Sequence, residues 1–333
     1  MPDKTLKIAL IGYGYWGPNI LRNIMENHIA DVAYCCDMDK AKLEKAKRRY
    51  PAVNTTTDVK TVFNDPDVDA VVIATPVATH FPLASAALNA GKHVMVEKPL
   101  AASVKEAEAL VKLQKDKKLI GMVGHTFIYS PPVIKMKEVI DSGELGKIFF
   151  ISSRRVNLGL HQKDVSVIWD LAPHDFSILF YLLGDEPLEI RAIARDCIKK
   201  GLPDVAFITM KFPDGLIGNI EVSWLAPTKL RHTTVVGSKK MLIYDDTESV
   251  EKIKIFDHGV DFKDPESFGE YQLSYRTGNI LSPKIATFEP LSAELSHFVD
   301  CIKTGKTPKT DLGMGLKVVR ALEKAEQSLQ LKK

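Results

Sequence analysis

Cysteine is scarce in this chain: four in 333 residues, at Cys35, Cys36, Cys197 and Cys301, with no CxxC pair among them. That excludes a disulfide scaffold and fits a reducing compartment in which thiols serve as small core residues. Long apolar runs are missing as well. The amino terminus, MPDKTLKIALIGYGYWG, passes from a few polar residues into a short apolar run that glycines end. Neither a signal peptide nor a membrane span is expected, and the expected location is cytoplasmic. Charge of one sign is lacking too, since 45 Lys and Arg against 42 Asp and Glu leave a formal +3. So small and evenly spread a surplus argues against nucleic acid and anionic membranes as partners, so any anionic ligand must be bound locally. There is no internal repeat, no low-complexity tract and no expectation of a metal.

What remains is a globular composition, 45% hydrophobic and 26% charged, long enough for two domains with real cores. From residue 6 to about 124, short β-rich runs (LKIALI, VAYCCD, DAVVIAT, KHVMVE, LIGMVGH) alternate with helical patterns. The strands are continuously apolar, which a sheet covered by helices on both faces requires. The expected fold is therefore an N-terminal doubly wound parallel α/β sheet, a Rossmann domain over residues 1–124. A second, α+β domain is expected over 125–333, its C-terminal helices free to pack back on the first. There, DVAFITMKF-PDG-LIGNIEVSWL and RHTTVVGSKKMLIYDD read as hairpins turning at Pro213-Asp214-Gly215 and around Gly237-Ser238. Residues 257–288 are poorly patterned and read as a long loop.

Gly12-Tyr13-Gly14-Tyr15-Trp16-Gly17 matches GxGxxG. Alone that is a weak signal, but it follows the first β-run, opens a helix with an early Pro18, and precedes Asp37 at the end of the second strand. In a dinucleotide site Gly12 permits the tight turn, Gly14 lets a pyrophosphate approach the backbone, and Gly17 lets helix and strand pack closely. Asp37 would accept hydrogen bonds from the adenosine ribose and repel a 2′-phosphate. Met38 and Asp39 offer no cation there, so NAD is favoured over NADP. The competing reading is a glycine turn for a flavin or a methyl donor.

Three further stretches line up with this loop: Ala74-Thr75-Pro76 with His80, Glu97-Lys98-Pro99, and Asp170 with His174 in WDLAPHD. The combination resembles the Gfo/Idh/MocA oxidoreductases, NAD(P)-dependent enzymes acting on sugars, cyclitols and related compounds. GHTFIYSPPV, GELGKI, SSRRVNLG and WDLAPHD look most like the branch that handles nucleotide sugars, including 3-dehydrogenases of UDP-N-acetylglucosamine-type uronates. Many relatives place an Arg shortly before the proline where this chain has Tyr129. The resemblance implies a second domain with a large, mostly antiparallel sheet whose open face makes homodimers or homotetramers. It also implies cofactor-side roles for Thr75, Pro76, His80 and Glu97, alongside Tyr15 and Trp16 of the glycine loop.

Oxidising a secondary alcohol sends hydride to nicotinamide and the hydroxyl proton to a base. His174 is the better candidate base, because imidazole titrates near ~6.5 and lysine near ~10.4. Lys98, at the carboxyl end of a parallel strand, then donates to the reacting oxygen; a relay with Lys98 as base is the alternative. Asp170 lies four residues before His174, so on a helix they share a face. Pro173 argues that this is a helix start or bend. Asp175, on another side, reads as a surface or capping residue, and Trp169 as a wall or core residue. Expected substrate contacts are Arg155 and Asn157, with Tyr129 and Arg231, since arginines suit the phosphates or carboxylate of a nucleotide sugar. The alternatives are an inositol or free-sugar dehydrogenase, a 3-ketosugar reductase, and a dinucleotide-sensing regulator without turnover.

Overall fold

The computed structural model describes residues 5–159, 161, 165–263 and 272–329. It divides into two compact units, Met1–Tyr129 with Phe288–Arg320, and Ser130–Thr287 with Ala321–Lys333.

In the first unit the elements run β1 (Lys7–Ile11), α1 (Gly17–Glu26), β2 (Asp31–Cys36), α2 (Lys40–Arg49), β3 (Asn54–Thr56), α3 (Val59–Asn64), β4 (Ala70–Ile73), α4 (His80–Asn89), β5 (His93–Glu97), α5 (Val104–Lys117) and β6 (Gly121–Gly124). The six strands pair in the order β3-β2-β1-β4-β5-β6, every pair parallel. Each residue of β4 and β6 is buried, as expected where helices cover both faces of a sheet. The order reverses between β1 and β4, so the loops leaving their carboxyl ends flank the crevice where such sheets bind ligands. The later chain segment is tied in beside β6: Val123 N donates to Thr310 O (2.8 Å) and Met122 bridges Asp311.

The second unit holds α6 (Pro131–Asp141), β7 (Ile148–Val156), α7 (Val167–Leu183), β8 (Glu189–Arg195), β9 (Val205–Lys211), β10 (Ile217–Ser223), β11 (Leu230–Gly237), β12 (Met241–Asp245), β13 (Ile253–Lys263) and β14 (Gln272–Leu281). Helices α8 (Pro290–Thr304) and α9 (Leu312–Gln327) close the chain, α8 lying wholly in the first unit. The eight strands form one sheet, β14-β13-β12-β11-β7-β10-β9-β8, antiparallel except where β10 runs parallel to β7. Both expected hairpins form, β9 with β10 through 213–215 and β11 with β12. Along β9 burial alternates, the signature of a sheet with one packed face. Helix α7 packs on β7, β9 and β10.

One expectation needs correction. The long loop over 257–288 is instead strand over 257–263 and 272–281, β13 and β14 pairing antiparallel; residues 264–271 lie outside the described residues. The Asp170–His174 stretch lies at the start of α7, with Asp170 in the first turn and Pro173 just beyond it, inside the helix. Lacking an amide hydrogen, Pro173 leaves the Trp169 carbonyl without its intrahelical donor.

Candidate active site

Around the glycine loop the backbone is shaped by close approach. Gly12 has φ +99°, and a Cβ there would lie 2.4 Å from Ala74 O on the neighbouring β4 segment. A Cβ on Gly17 would lie 2.4 Å from Gly12 O, so helix and loop touch through bare backbone. Gly14 differs: a Cβ there meets nothing within 4 Å, leaving an open backbone face of the kind a pyrophosphate needs. Helix α1 starts with no side-chain cap, so no group of its own covers the positive end of its dipole. Tyr15 and Trp16 are 87% and 39% exposed and meet edge to face, two large aromatics left in water beside this cradle. The residues present fit a dinucleotide.

Asp37 is fixed by backbone amides: Oδ2 accepts from Tyr13 N (2.6 Å) and Oδ1 from Asp39 N (2.9 Å). Each oxygen keeps a second lone pair for a ribose hydroxyl. Lys42 Nζ stands 3.8 Å from Asp37 Oδ2, a cation that the reading of Met38 and Asp39 did not anticipate.

After β4, Thr75 and Thr79 join through their hydroxyls (2.7 Å), and Pro76 is exposed. His80, the first residue of α4, is buried. Its Nδ1 lies 2.8 Å from Pro99 O and its Nε2 2.8 Å from Thr75 O, so the ring links the loops after β4 and β5. Burial is the main cause of its lowered pKa, and a neutral ring can donate to one of those carbonyls only. His80 thus positions the Lys98 loop and buries its own ring; it does not face outward.

Lys98 follows Glu97 at the end of β5 and is half-buried. Glu97 is buried and its carboxyl is pushed up to about 7 by desolvation, which the Lys98 charge and the Lys98 amide (3.3 Å) oppose. Beside it, His125 follows β6 with both ring nitrogens sealed and without hydrogen-bond partners; burial, then the Lys98 charge, pushes it down to about 3. Sequence reasoning missed His125, although its place directly after the apolar run LIGMVG is the signal that could have marked it.

In the second unit, Asp170 lies in the first turn of α7, where the helix dipole favours an anion, and His174 follows one turn later on the same face. The buried Trp224, just past β10, donates from Nε1 to Asp170 Oδ2 (3.1 Å). Its ring lies 5.2 Å from that of His161, and the Asn157 amide, just past β7, donates to Ser223 O (3.2 Å). Trp224 was not anticipated; a tryptophan ending a hairpin strand was the available signal. Trp169 reaches the other way, donating to Glu326 Oε2 (2.9 Å).

Three assignments change. Arg155 is buried, its Nε donating to Asp175 Oδ2 (2.7 Å), so it holds α7 on β7 in place of the expected substrate contact. Asp175 is accordingly no surface or capping residue: it is 1% exposed and also accepts from Ser153 Oγ (2.6 Å). Period-two alternation puts Ser153 and Arg155 on the helix-covered face and turns Arg154 outward to Glu221 (2.9 Å). Arg231, opposite Arg155 across the ladder, pairs with Asp246 (3.1 Å). Tyr129 is buried, its hydroxyl 3.2 Å from Thr310 Oγ1, which leaves it packing the first unit's interior.

Among the described residues no group of three or more His, Cys, Asp or Glu could hold a metal ion, and no helix is long and apolar enough to cross a membrane.

The oxidoreductase family model with an NAD-binding Rossmann fold matches residues 6–125, and the GFO/IDH/MocA C-terminal domain matches 133–243. The chain is 26% identical over 319 residues to scyllo-inositol 2-dehydrogenase (NAD(+)) of Bacillus subtilis, covering 92% of this chain and 89% of that one. Its fold matches UDP-N-acetylglucosamine 3-dehydrogenase GnnA of Acidithiobacillus ferrooxidans, with TM-score 0.82 at 22% identity over 97% of each chain. It also matches GenD2 from gentamicin A biosynthesis, a structure in complex with NAD, with TM-score 0.81 at 22% identity over 98% of this chain and 95% of that one. The two matched domains make this chain a member of the Gfo/Idh/MocA family of NAD-dependent oxidoreductases, which act on sugar or polyol hydroxyls.

Proposed function

We propose that this chain oxidises a secondary hydroxyl, at C3 of a nucleotide sugar, with Lys98, His174 and Asp170 handling the hydroxyl and its proton. The observation that carries the reading is the fixed Asp170: one turn before His174 on the same helix face, held by a buried indole N–H. A surface i,i+4 pair needs no such anchor. Bound NAD supplies the hydride acceptor at its nicotinamide. His174 takes the hydroxyl proton, and Asp170 holds the imidazole and balances the charge it acquires. Lys98 donates to the reacting oxygen and stabilises its developing alkoxide character.

On the cofactor side, Gly12, Gly14 and Gly17 shape the pyrophosphate cradle, Tyr15 and Trp16 cover it, and Asp37 accepts from the ribose. Thr75, Pro76 and Glu97 line the nicotinamide end, with His80 holding their loops together. Asn157 and Arg231 are retained as substrate contacts; Arg155 and Tyr129 act through packing. Support for a nucleotide sugar comes from the stretches GHTFIYSPPV and WDLAPHD and from the fold shared with a UDP-N-acetylglucosamine 3-dehydrogenase. An inositol dehydrogenase is the second reading, favoured by the 26% identity to the scyllo-inositol enzyme.

The open face of the second sheet supports self-association. Ile193, Phe207, Ile217 and Phe150, at 75%, 49%, 51% and 42% exposure, stand on one face of β8, β9, β10 and β7. They form two apolar pairs, Ile193 with Phe207 and Ile217 with Phe150, separated on that face by Thr209, Asn219 and the Arg154–Glu221 ion pair, and a second copy of the sheet is the proposed occupant.

The test is incubation with NAD and a panel of UDP-sugars, dTDP-sugars and inositols, read at the reduced-nicotinamide absorbance, with product NMR locating the oxidised carbon. Reduction with a nucleotide sugar and a 3-oxo product is expected. Turnover of inositols alone selects the second reading, and tight NAD binding without any reaction selects a dinucleotide sensor.

A further inference from the structure

Behind Lys98 the first unit buries a second carboxyl that the mechanism above leaves unused. Glu294, on the first turns of α8, is 0% exposed. Its Oε2 accepts from Thr126 Oγ1 (2.6 Å), while Oε1 is sealed and has no hydrogen-bond partner. Glu97 faces it, also buried, with its carboxyl packed against the bare backbone of Gly124, where a Cβ would come within 3.2 Å. Lys98 is the cation beside Glu97. The neutral His125 ring faces Lys98 from the end of β6, and the Tyr129 hydroxyl is engaged with Thr310. Further along α8, His297 Nε2 accepts from the Lys309 amide (3.0 Å) and contacts Cys301 (3.5 Å), and Lys309 Nζ lies beyond the Tyr129 ring.

The charge count decides the protonation. Two carboxylates facing each other in a sealed space repel and lose hydration, and one ammonium offsets only one of them. Glu97 is next to that ammonium. The Glu294 oxygen without a partner is tolerable as O–H and costly as O⁻. Burial, then the facing Glu97, accordingly holds the Glu294 carboxyl well above the usual carboxylate range.

We propose that Glu294 is a positioning residue for the hydride-transfer site: it stays protonated, so the buried pair carries a single negative charge on Glu97, and that charge holds the Lys98 ammonium against the reacting oxygen. The inference rests on the reading of Lys98 as the reaction's cation. Its structural half stands without any substrate.

The experiment is infrared spectroscopy of the full chain at pH 8 and at pH 5, on wild type, Glu294→Gln and Glu97→Gln, with NAD affinity and melting temperature as checks on folding; the wild-type minus Glu294→Gln spectrum at pH 8 isolates the Glu294 band, and the pH 5 minus pH 8 spectrum of wild type against that of Glu97→Gln isolates the Glu97 band. At pH 8 the wild type is expected to show the carbonyl stretch of one buried carboxylic acid. That band is absent in Glu294→Gln. Lowering the pH to 5 then adds a second such band in the wild type, from Glu97. No protonated-acid band in the wild type at pH 8 overturns the proposal, and that spectrum needs no variant to fold. A band that survives in Glu294→Gln also overturns it. In turnover, Glu294→Gln keeps kcat/KM within threefold of wild type at pH 7.5 and extends activity to higher pH, because a glutamine cannot ionise. Glu294→Leu, which cannot accept from Thr126, loses at least tenfold in kcat at unchanged KM for NAD. A Glu294→Gln profile with the same alkaline limb as wild type refutes the positioning role. If the infrared bands behave as expected and no substrate reacts, the acid pair stands and the proposed reaction falls.

Discussion

Replacing Asp175 with alanine tests the reassignment of Arg155 most sharply. Asp175 Oδ2 accepts from Arg155 Nε at 2.7 Å and Oδ1 from Ser153 Oγ at 2.6 Å, with Asp175 1% and Arg155 6% exposed. Removing the carboxylate leaves a guanidinium in a space too dry to solvate it. Breaking a buried pair from one side costs about 3–5 kcal/mol, and the lost hydroxyl bond adds about 1 kcal/mol. For a unit of this size each kcal/mol lowers a melting midpoint by about 2–4 °C, so a fall on the order of 10–20 °C is expected. Because the pair joins α7 to β7, and α7 carries Asp170 and His174, kcat should fall below the midpoint temperature as well. Circular dichroism melts of Asp175→Ala, Asp175→Asn and the double variant Arg155→Met/Asp175→Leu give the answer. The double variant removes both charges and should be more stable than Asp175→Ala, a non-additivity that identifies the pair. If Asp175→Ala melts within about 1 kcal/mol of wild type and Arg155→Met instead raises KM for the sugar, Arg155 is a substrate contact after all.

Four of the site's other features give direct tests. His125, held down to about 3 by burial against a usual 6.5, takes up a proton in the unfolded chain that it refuses when folded, so its contribution is full above pH 6.5 and is lost as pH falls toward 3. Urea titrations of His125→Gln should show a flatter acid limb by several kcal/mol; an unchanged limb contradicts the sealed imidazole. Glu97, raised to about 7, acts in the opposite sense: stability is present below the carboxyl's usual 4.5 and is lost as pH rises through 7. Glu97→Gln should remove that loss, which the same titrations would reveal. Gly17→Ala places a methyl 2.4 Å from Gly12 O, and calorimetry should find NAD binding weakened at least tenfold; wild-type affinity would disprove the close contact. Charges at Ile193→Glu and Phe207→Glu should turn an oligomer into monomer by light scattering, and an unchanged mass refutes the proposed face.

The first unit was legible because its determinants are local. Continuous apolar strands, the glycine loop and the acid at the end of β2 each announce themselves within a few residues. The hairpins at 213–215 and 237–238 were legible for the same reason. Strands β13 and β14 were not: Gly259 and Gly278, with Asp257 and His258 between apolar residues, break the alternation that marks a strand, and their pairing is supplied by an edge partner. Asp175 looked like a surface residue because its reason for burial, Arg155, lies 20 positions away on another element. Tyr129 and Glu294 depend in the same way on a chain segment more than 160 residues distant. Pairwise burial of polar groups is set by tertiary packing, and no periodicity in one sequence carries it.

The central claim is that Lys98 and His174 perform the proton chemistry on a protein already able to bind NAD. Its most direct measurement is turnover and NAD affinity of Lys98→Met and His174→Asn side by side. A loss in kcat of at least about a hundredfold in each, with NAD dissociation constants within threefold of wild type, is the predicted result. Wild-type turnover in both variants would contradict the account.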